Sequence, residues 1–492
     1  MDPRTLKSAP TVALAAALLA ATALAGCEVG PNYHRPPVET PPAFKEAQGW
    51  TPARPSDGVD RGDWWAMFDD PVLDGLERKV EVSNQNLAAA EAAYREARAL
   101  VAEQRANLFP TVNLTASATR SGRSGGNAGA GGGAGGAGAG AGGGTGNNFQ
   151  VQLGASWAPD IWGKVRRAIE GAKASAQLSA ADLANARLTA QSELAADYIG
   201  LRIADAQKAL LQAAVDADQR SLDITQNQYT AGVAAKSDVL QAKTVLDNAK
   251  ASLVDIDQQR ADDEHAIAVL DGEPPADLTI APDPAWKPTV PETPIALPST
   301  MLERRPDVAA AERNAASASA QIGVQTAGFF PNLTISADGG FASSVLSTLF
   351  KSANSFWSIG ANATQVVFDA GATGARVRGA KAAYDQAVAQ YRQTSLSAFQ
   401  QVEDDLVAAR VLQDEQPLRA AATADANQAE QISLNQYRAG QVAYTQVVIT
   451  ETAALNARQT LLALEGQRMT TAISLVEALG GGWSATQLPK NP

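Results

Sequence analysis

Gln228-Tyr229-Thr230-Ala231-Gly232 returns 208 positions later as Gln436-Tyr437-Arg438-Ala439-Gly440, and the fold of this 492-residue chain is read from that recurrence. The same offset pairs Gly171-Ala172-Lys173-Ala174 with Gly379-Ala380-Lys381-Ala382, Leu253 with Leu461, and Arg260 with Arg468. A long unit repeated once is an architecture of two similar halves. The glycine of each copy ends a long helical run, where a helix can reverse tightly through a positive φ. Residues 164–230 contain no proline and predict one helix of about 100 Å at 1.5 Å per residue, and 371–437 has the same length. Shorter helical runs cover 80–108, 236–271, 300–328 and 445–480, and each short pair laid end to end matches one long helix. The runs after the two turns carry a heptad seam, Val239, Ala242, Leu246, Ala249, Leu253 and Ile256 in the first and Val447, Thr450, Ala454, Ala457, Leu461 and Leu464 in the second. Pro417 lies inside the second long run and predicts a local bend, because it removes one backbone hydrogen bond.

Between the helical runs the period changes. After Phe109-Pro110, Val112, Leu114, Ala116 and Ala118 alternate with Thr111, Asn113, Thr115, Ser117 and Thr119. Phe149, Val151, Leu153, Ala155 and Trp157 then alternate with Gln150, Gln152, Gly154 and Ser156. The second copy answers after Phe330-Pro331 with Leu333, Ile335, Ala337, Gly339 and Phe341, and then with Trp357, Ile359, Ala361 and Ala363. Strands of about ten residues with one apolar and one small-polar face have the pattern of transmembrane β hairpins. On the pattern alone, hairpins half-buried on a soluble core fit as well. In lipid, four strands cannot close a barrel, and an open edge leaves backbone groups unsatisfied at several kcal/mol each, so the membrane reading requires the chain to oligomerise. Residues 121–148 are almost entirely Gly and Ala; GxGxxG matches fall among them, but they lead into a strand and not a helix, which favours a flexible external loop over a phosphate cradle.

The formal charge of −12, with no basic patch interleaved with aromatics, excludes a nucleic-acid partner. Two histidines, His34 and His265, and one cysteine provide neither a Cys/His nor a Ser/His arrangement and no zinc spacing, so no catalytic residue and no metal is assigned and the chain reads as a passive conduit, not an enzyme. Residues 1–26 read as a secretory signal, with Arg4 and Lys7 ahead of a short apolar run that ends in Leu24-Ala25-Gly26-Cys27. Its removal takes away Asp2, Arg4 and Lys7 and leaves a charge of −13. Cys27 has no partner for an internal disulfide and follows a small-residue cleavage site, so it is assigned as the lipid attachment point, carrying diacylglycerol and palmitate; no other cofactor is implied. Glu28 in place of aspartate points to the outer membrane. The proline-rich stretch 38–60 reads as a tether.

Five segments carry a resemblance: Gly26-Cys27-Glu28-Val29-Gly30-Pro31-Asn32-Tyr33-His34-Arg35-Pro36, Trp64-Trp65-Ala66-Met67-Phe68-Asp69-Asp70-Pro71, Trp157-Ala158-Pro159-Asp160-Ile161-Trp162-Gly163-Lys164-Val165-Arg166-Arg167, Leu302-Glu303-Arg304-Arg305-Pro306-Asp307 and Ala478-Leu479-Gly480-Gly481-Gly482-Trp483. In this order they resemble the lipoprotein outer membrane factors, the exit ducts of tripartite efflux pumps. The resemblance implies a mixed, mainly-α membrane protein. In it, three chains of four strands each form a twelve-stranded β-barrel continuous with a long α-helical coiled-coil barrel, with a small equatorial domain at the waist. It divides the chain into a signal (1–26), a lipid-anchored tether and equatorial segment (27–79), a first efflux repeat (80–271), an equatorial linker (272–299), a second repeat (300–480) and a tail (481–492). It implies a homotrimer in the outer membrane, with its helices in the periplasm and with a periplasmic adaptor and an inner-membrane pump as partners. The adaptor would meet the turns at Gly232, Val233, Ser237, Gly440, Gln441 and Thr445, and Asp238 with Tyr437 would form the gate that closes the duct at rest. Val442 stands where an arginine is expected, and Gln446 and Ile449 where some members carry acids, so a charged constriction is not carried over. Exit of small toxic compounds is the function implied; a type I secretion duct and a coiled-coil envelope rod without a pore are the alternatives, the rod having no use for the alternating hairpins.

Overall fold

A computed structural model describes residues 28–46, 63–122, 145–291 and 303–492. The signal segment, Cys27, the later part of the tether, most of the Gly/Ala loop and the first residues of the 300–328 run lie outside the described residues. The described residues fall into two compact units, one within 1–34, 98–174 and 316–386, the other within 35–97, 175–315 and 387–492.

The first unit is built on a four-stranded antiparallel sheet in the order β1 (Thr111–Gly122), β2 (Thr145–Trp157), β3 (Asn332–Ser343) and β4 (Ser355–Thr364). The register puts like with like. Leu114 faces Leu153, Leu153 faces Gly339 and Gly339 faces Trp357, so the apolar positions of both hairpins merge into one continuous face. On the outer strands that face is bare in the single chain, where Leu114 is 73%, Trp357 79% and Ile359 74% exposed, and on β3 it is half-buried. The central β2–β3 pairing joins the two copies of the repeat. At the foot of the sheet, Trp162 stacks on Phe330 at 4.8 Å and donates its indole N–H to the Pro331 carbonyl at 2.8 Å. Trp157 does the same to the Leu108 carbonyl at 2.9 Å. The segment from Glu28 is fixed here as well. Val29 donates to the Trp162 carbonyl at 3.1 Å, and the buried Arg167 reaches Asn32 Oδ1 at 2.8 Å and Glu28 at 3.4 Å.

The second unit is helical. Its elements are drawn from α1 (Pro71–Ser83), α2 (Gln85–Ala106), α3 (Lys164–Thr230), α4 (Lys236–Leu270), α5 (Pro306–Thr326), α6 (Ala372–Arg438) and α7 (Tyr444–Ala478). Both long helices are 67 residues, as expected, and both helices after the turns are 35. The expected helix over 80–108 is instead two helices. Asn84 leaves helical geometry at ψ 124° and its side chain accepts from the amides of Asn86 and Leu87, capping α2. Asp70 caps α1 in the same way, with Pro71 at the first helical position. The tether is also partly folded: Phe44 is buried beside Tyr391, Phe399 and Val402, and the amides of Lys45 and Glu46 donate to Glu403. α6 continues through Pro417, and Glu415 and Arg419, spaced i,i+4 across it, form an ion pair at 2.7 Å.

The seam read from the sequence is the packed one. Ala242, Leu246, Ala249 and Ile256 of α4, and Val447, Ala454 and Leu464 of α7, are buried. The waist core gathers Trp64, Trp65, Phe68, Leu73 and Val80 against Leu194, Tyr198, Ile267 and Met469. Tyr198 there donates to Asp70 Oδ2 at 2.7 Å. Two of the resemblance segments meet in this unit: Arg305 donates to the Ala478 carbonyl at 3.0 Å, and Gly480, at φ 95°, lies so close that a Cβ would come within 2.1 Å of the Arg304 carbonyl oxygen.

Glu77 sits in the waist core with no exposure and with neither carboxyl oxygen partnered. Burial, and then the neighbouring charge of Asp271, push its carboxyl up to about 9, so it is neutral at pH 7. A carboxyl raised in the folded state weakens the fold as pH climbs from its unfolded value, about 4.3, toward the folded one. Glu77→Gln mimics the neutral form. Its thermal midpoint is expected to exceed that of the parent near neutral pH and to converge with it near pH 4, as followed by circular dichroism.

Candidate functional site at the helical tips

Both helix reversals use the same device. Gly232 at φ 73° and Gly440 at φ 72° occupy the left-handed position. Val233 donates to the Gln228 carbonyl at 2.8 Å and Gln441 to that of Gln436 at 2.9 Å, while each glycine bonds back to the tyrosine carbonyl, of Tyr229 or Tyr437. These are paired Schellman closures, which cap the last carbonyls of α3 and α6. Nothing lies within 4 Å of a Cβ built on either glycine, so the demand is for backbone conformation alone. Gly232, Val233, Ser237, Gly440, Gln441 and Thr445 are all exposed in the chain.

The two residues read as a gate lie in different surroundings. Asp238 is half-buried in the first turn of α4, where Ser237 Oγ donates to it at 3.3 Å. Tyr437 is 7% exposed and donates its hydroxyl to Gln228 Oε1 at 2.6 Å, with Thr225 Oγ1 at 3.2 Å. Within one chain, then, Tyr437 ties the second helical hairpin to α3 of the first, and Asp238 is not its partner. Tyr444 stacks obliquely on Tyr437 at 5.3 Å and fills the same small core with Ala242 and Val447. Thr445 Oγ1 donates to Gln241 Oε1 at 3.4 Å, a second and weaker tie between the hairpins.

Further along the same helices, sequence reading missed an acidic group. Asp218 of α3 is 5% exposed, and Glu451 of α7 accepts a long 3.4 Å hydrogen bond from Ser221 while its other oxygen has no partner. Burial, reinforced by the charge of Glu430, pushes Asp218 to about 6. Burial, then Asp218 and Glu430, push Glu451 to about 7. Glu430 itself is paired with Arg458. The sequence held one clue, since Glu451 falls on a helix whose neighbouring positions are apolar or small; its spatial pairing with Asp218 crosses between the two repeats.

With this geometry in place, comparison defines the class: the outer membrane efflux protein model matches residues 77–273 and 297–481, and the chain belongs to that family. Among curated relatives it is 28% identical over 430 residues to the pyoverdine export outer membrane protein OpmQ of Pseudomonas aeruginosa, covering 87% of this chain and 89% of that one. It is 27% identical to the cation efflux system protein CusC of Escherichia coli, covering 94% and 97%. Among solved structures, the outer-membrane channel OprN matches at a TM-score of 0.85 with 29% identity, over 93% of this chain and 100% of that one. The Campylobacter jejuni CmeC channel shares the fold at 0.86, with 22% identity and 94% and 96% coverage. The protein is an outer membrane component of an efflux system, with the channel fold expected from its sequence: four antiparallel strands in each chain and long helices in the order of the repeats. Among the described residues no helix is long and apolar enough to cross a membrane.

Two outcomes are expected at the tips. Tyr437→Phe leaves Gln228 Oε1 without its donor in a buried setting, at about 1–2 kcal/mol. Hydrogen exchange of 434–447 should rise accordingly, while the waist core keeps its protection. The raised carboxyls of Asp218 and Glu451 bind protons more tightly folded than unfolded, so the tip gains stability as pH falls through about 7 toward 4. Protection of 444–451, corrected for intrinsic exchange, is expected to be greater at about pH 5.5 than at about pH 7.5. Glu451→Gln should flatten that difference.

Proposed function

We propose that the chain works as a homotrimeric, lipid-anchored exit duct: a passive conduit through which small toxic compounds, delivered by an inner-membrane pump and a periplasmic adaptor, leave the cell. The observation that carries this reading is the open sheet. Its apolar face is exposed along the outer strands and mostly half-buried along the central ones, and the outer strands, β1 and β4, each pair on one side only. Such a sheet is tenable in lipid only if the edges pair with other chains, and a twelve-stranded closure needs three. Relatives named for pyoverdine, toluene and cation export support the export of varied small solutes. Cys27 would carry the acyl chains that hold the amino end to the membrane. The exposed turn residues offer a surface for the adaptor, and Asp238 would meet Tyr437 across hairpins in the closed state. No step of chemistry is assigned to the chain; energy comes from the pump.

Purified protein reconstituted in a planar bilayer is expected to give discrete conductance, with a native mass of three chains. Correctly folded trimer without conductance would refute the duct. Mass spectrometry of the mature amino-terminal peptide should find Cys27 acylated. The double variant Asp238→Ala with Tyr437→Phe should raise the conductance of the resting channel; an unchanged value removes those residues from the gate.

A further inference from the structure

The polar face of the sheet holds a single ionisable side chain. Along β1 the positions facing that side are Thr111, Asn113, Thr115, Ser117 and Thr119; β2 and β4 contribute Gln, Gly, Ser, Asn and Thr with one Phe. β3 alone places a charge there, at Asp338, six residues from its Asn332 end and five from its Ser343 end. The register sets Asp338 in a row that runs Asn113, Gly154, Asp338, Ser358 across all four strands.

Its position is built by its neighbours. A Cβ on Gly154 would come within 2.7 Å of Asp338 Oδ1, so the carboxylate lies across the bare backbone that this glycine leaves. Ser358 Oγ lies 3.4 Å from Oδ2 on the other side. No Lys or Arg stands on that face to neutralise it; Arg120, the one basic residue of the four strands, has the parity of Leu114 and Ala118 and so belongs to the other side, near the strand end. A mid-strand carboxylate is expensive against hydrocarbon and inexpensive against water, which assigns this face to the water-filled side of a closed barrel.

We propose that Asp338 is a selectivity residue of the barrel lumen: three copies form one unneutralised carboxylate ring that concentrates cations and cationic solutes at mid-membrane and holds back anions. The inference rests on the closed-barrel reading given above. A ring of fixed negative charge in a pore raises the local concentration of positive species and lowers that of negative ones. Its place is in the strands, away in sequence from the turns at Gly232 and Gly440.

The deciding measurement reads the local potential at the same row. In Asn113→Cys trimers in planar bilayers, a cationic thiol reagent added from the extracellular side is expected to modify the new thiol at least several-fold faster than an anionic reagent of equal size, as seen in block of the current. Asp338→Asn should bring the two rates to within about two-fold, and Asp338→Glu should keep the preference. The potassium-to-chloride permeability ratio from reversal potentials should fall in parallel. A rate ratio that is the same with Asp338 and with Asn at that position, in trimers that conduct normally, overturns the proposal. Absence of any conductance, or a thiol that neither reagent reaches, overturns the closed-barrel reading on which it rests.

Discussion

Backbone hydrogen bonding in a medium without water is the constraint on which the rest of this molecule depends. Each chain supplies four strands whose internal ladders are complete and whose two outer edges are not. In water such edges are a risk of aggregation; in hydrocarbon they are untenable. The apolar face that makes the sheet insoluble in water and the open edges that make it incomplete in lipid therefore have one joint solution, closure with further copies. The repeat explains how a short chain segment supplies enough of the wall. Each copy contributes one hairpin, and the β2–β3 pairing fuses the two hairpins into one sheet.

The helices serve that sheet with the same economy. Alanine and other small residues along the seams of α4 and α7, Ala242, Ala249 and Ala454 among them, alternate with larger ones such as Leu246 and Leu464 and let helices approach closely. Polar ties then do what bulk cannot. At the waist, Tyr198, Asp70 and Arg202 connect the long helix to the capping segment, and Asp205 receives both Arg202 and Arg260. At the tips the two repeats differ: the second brings Tyr437 and Tyr444 into a small aromatic core, while the first offers Gln228 and Thr225 as their polar partners. The hairpins are thus joined by a small aromatic core, a few hydrogen bonds and buried carboxyls of raised affinity for protons.

Much of this was legible in residue order. Period-2 alternation located all four strands to within a few residues, because one face must be apolar and the other polar whatever surrounds them. The absence of proline over 164–230 and the glycines at 232 and 440 fixed the long helices and their reversals, since these are demands of the backbone itself. The break at Asn84 was hidden because a local cap competes with strong helix formers on both sides, and the Asp70-Pro71 and Ser83-Asn84 signals were its only trace. The docking of Phe44 was hidden for a different reason: a lone aromatic in a proline-rich stretch says nothing about which distant surface will receive it.

By itself the sequence determined the duplication, the lengths and periods of the elements, the position of the turns and the family to which the chain belongs, because each of these is written in local pattern or in spacing along the chain. Only the tertiary structure decided which residues meet. It set Asp338 over Gly154, gave Tyr437 Gln228 and not Asp238 as its partner within the chain, and brought Asp218 to Glu451 across the repeats. The physical reason is that register and side-chain pairing depend on how helices and strands far apart in sequence are packed, and small, similar residues on many faces leave that choice open until the whole wall is assembled.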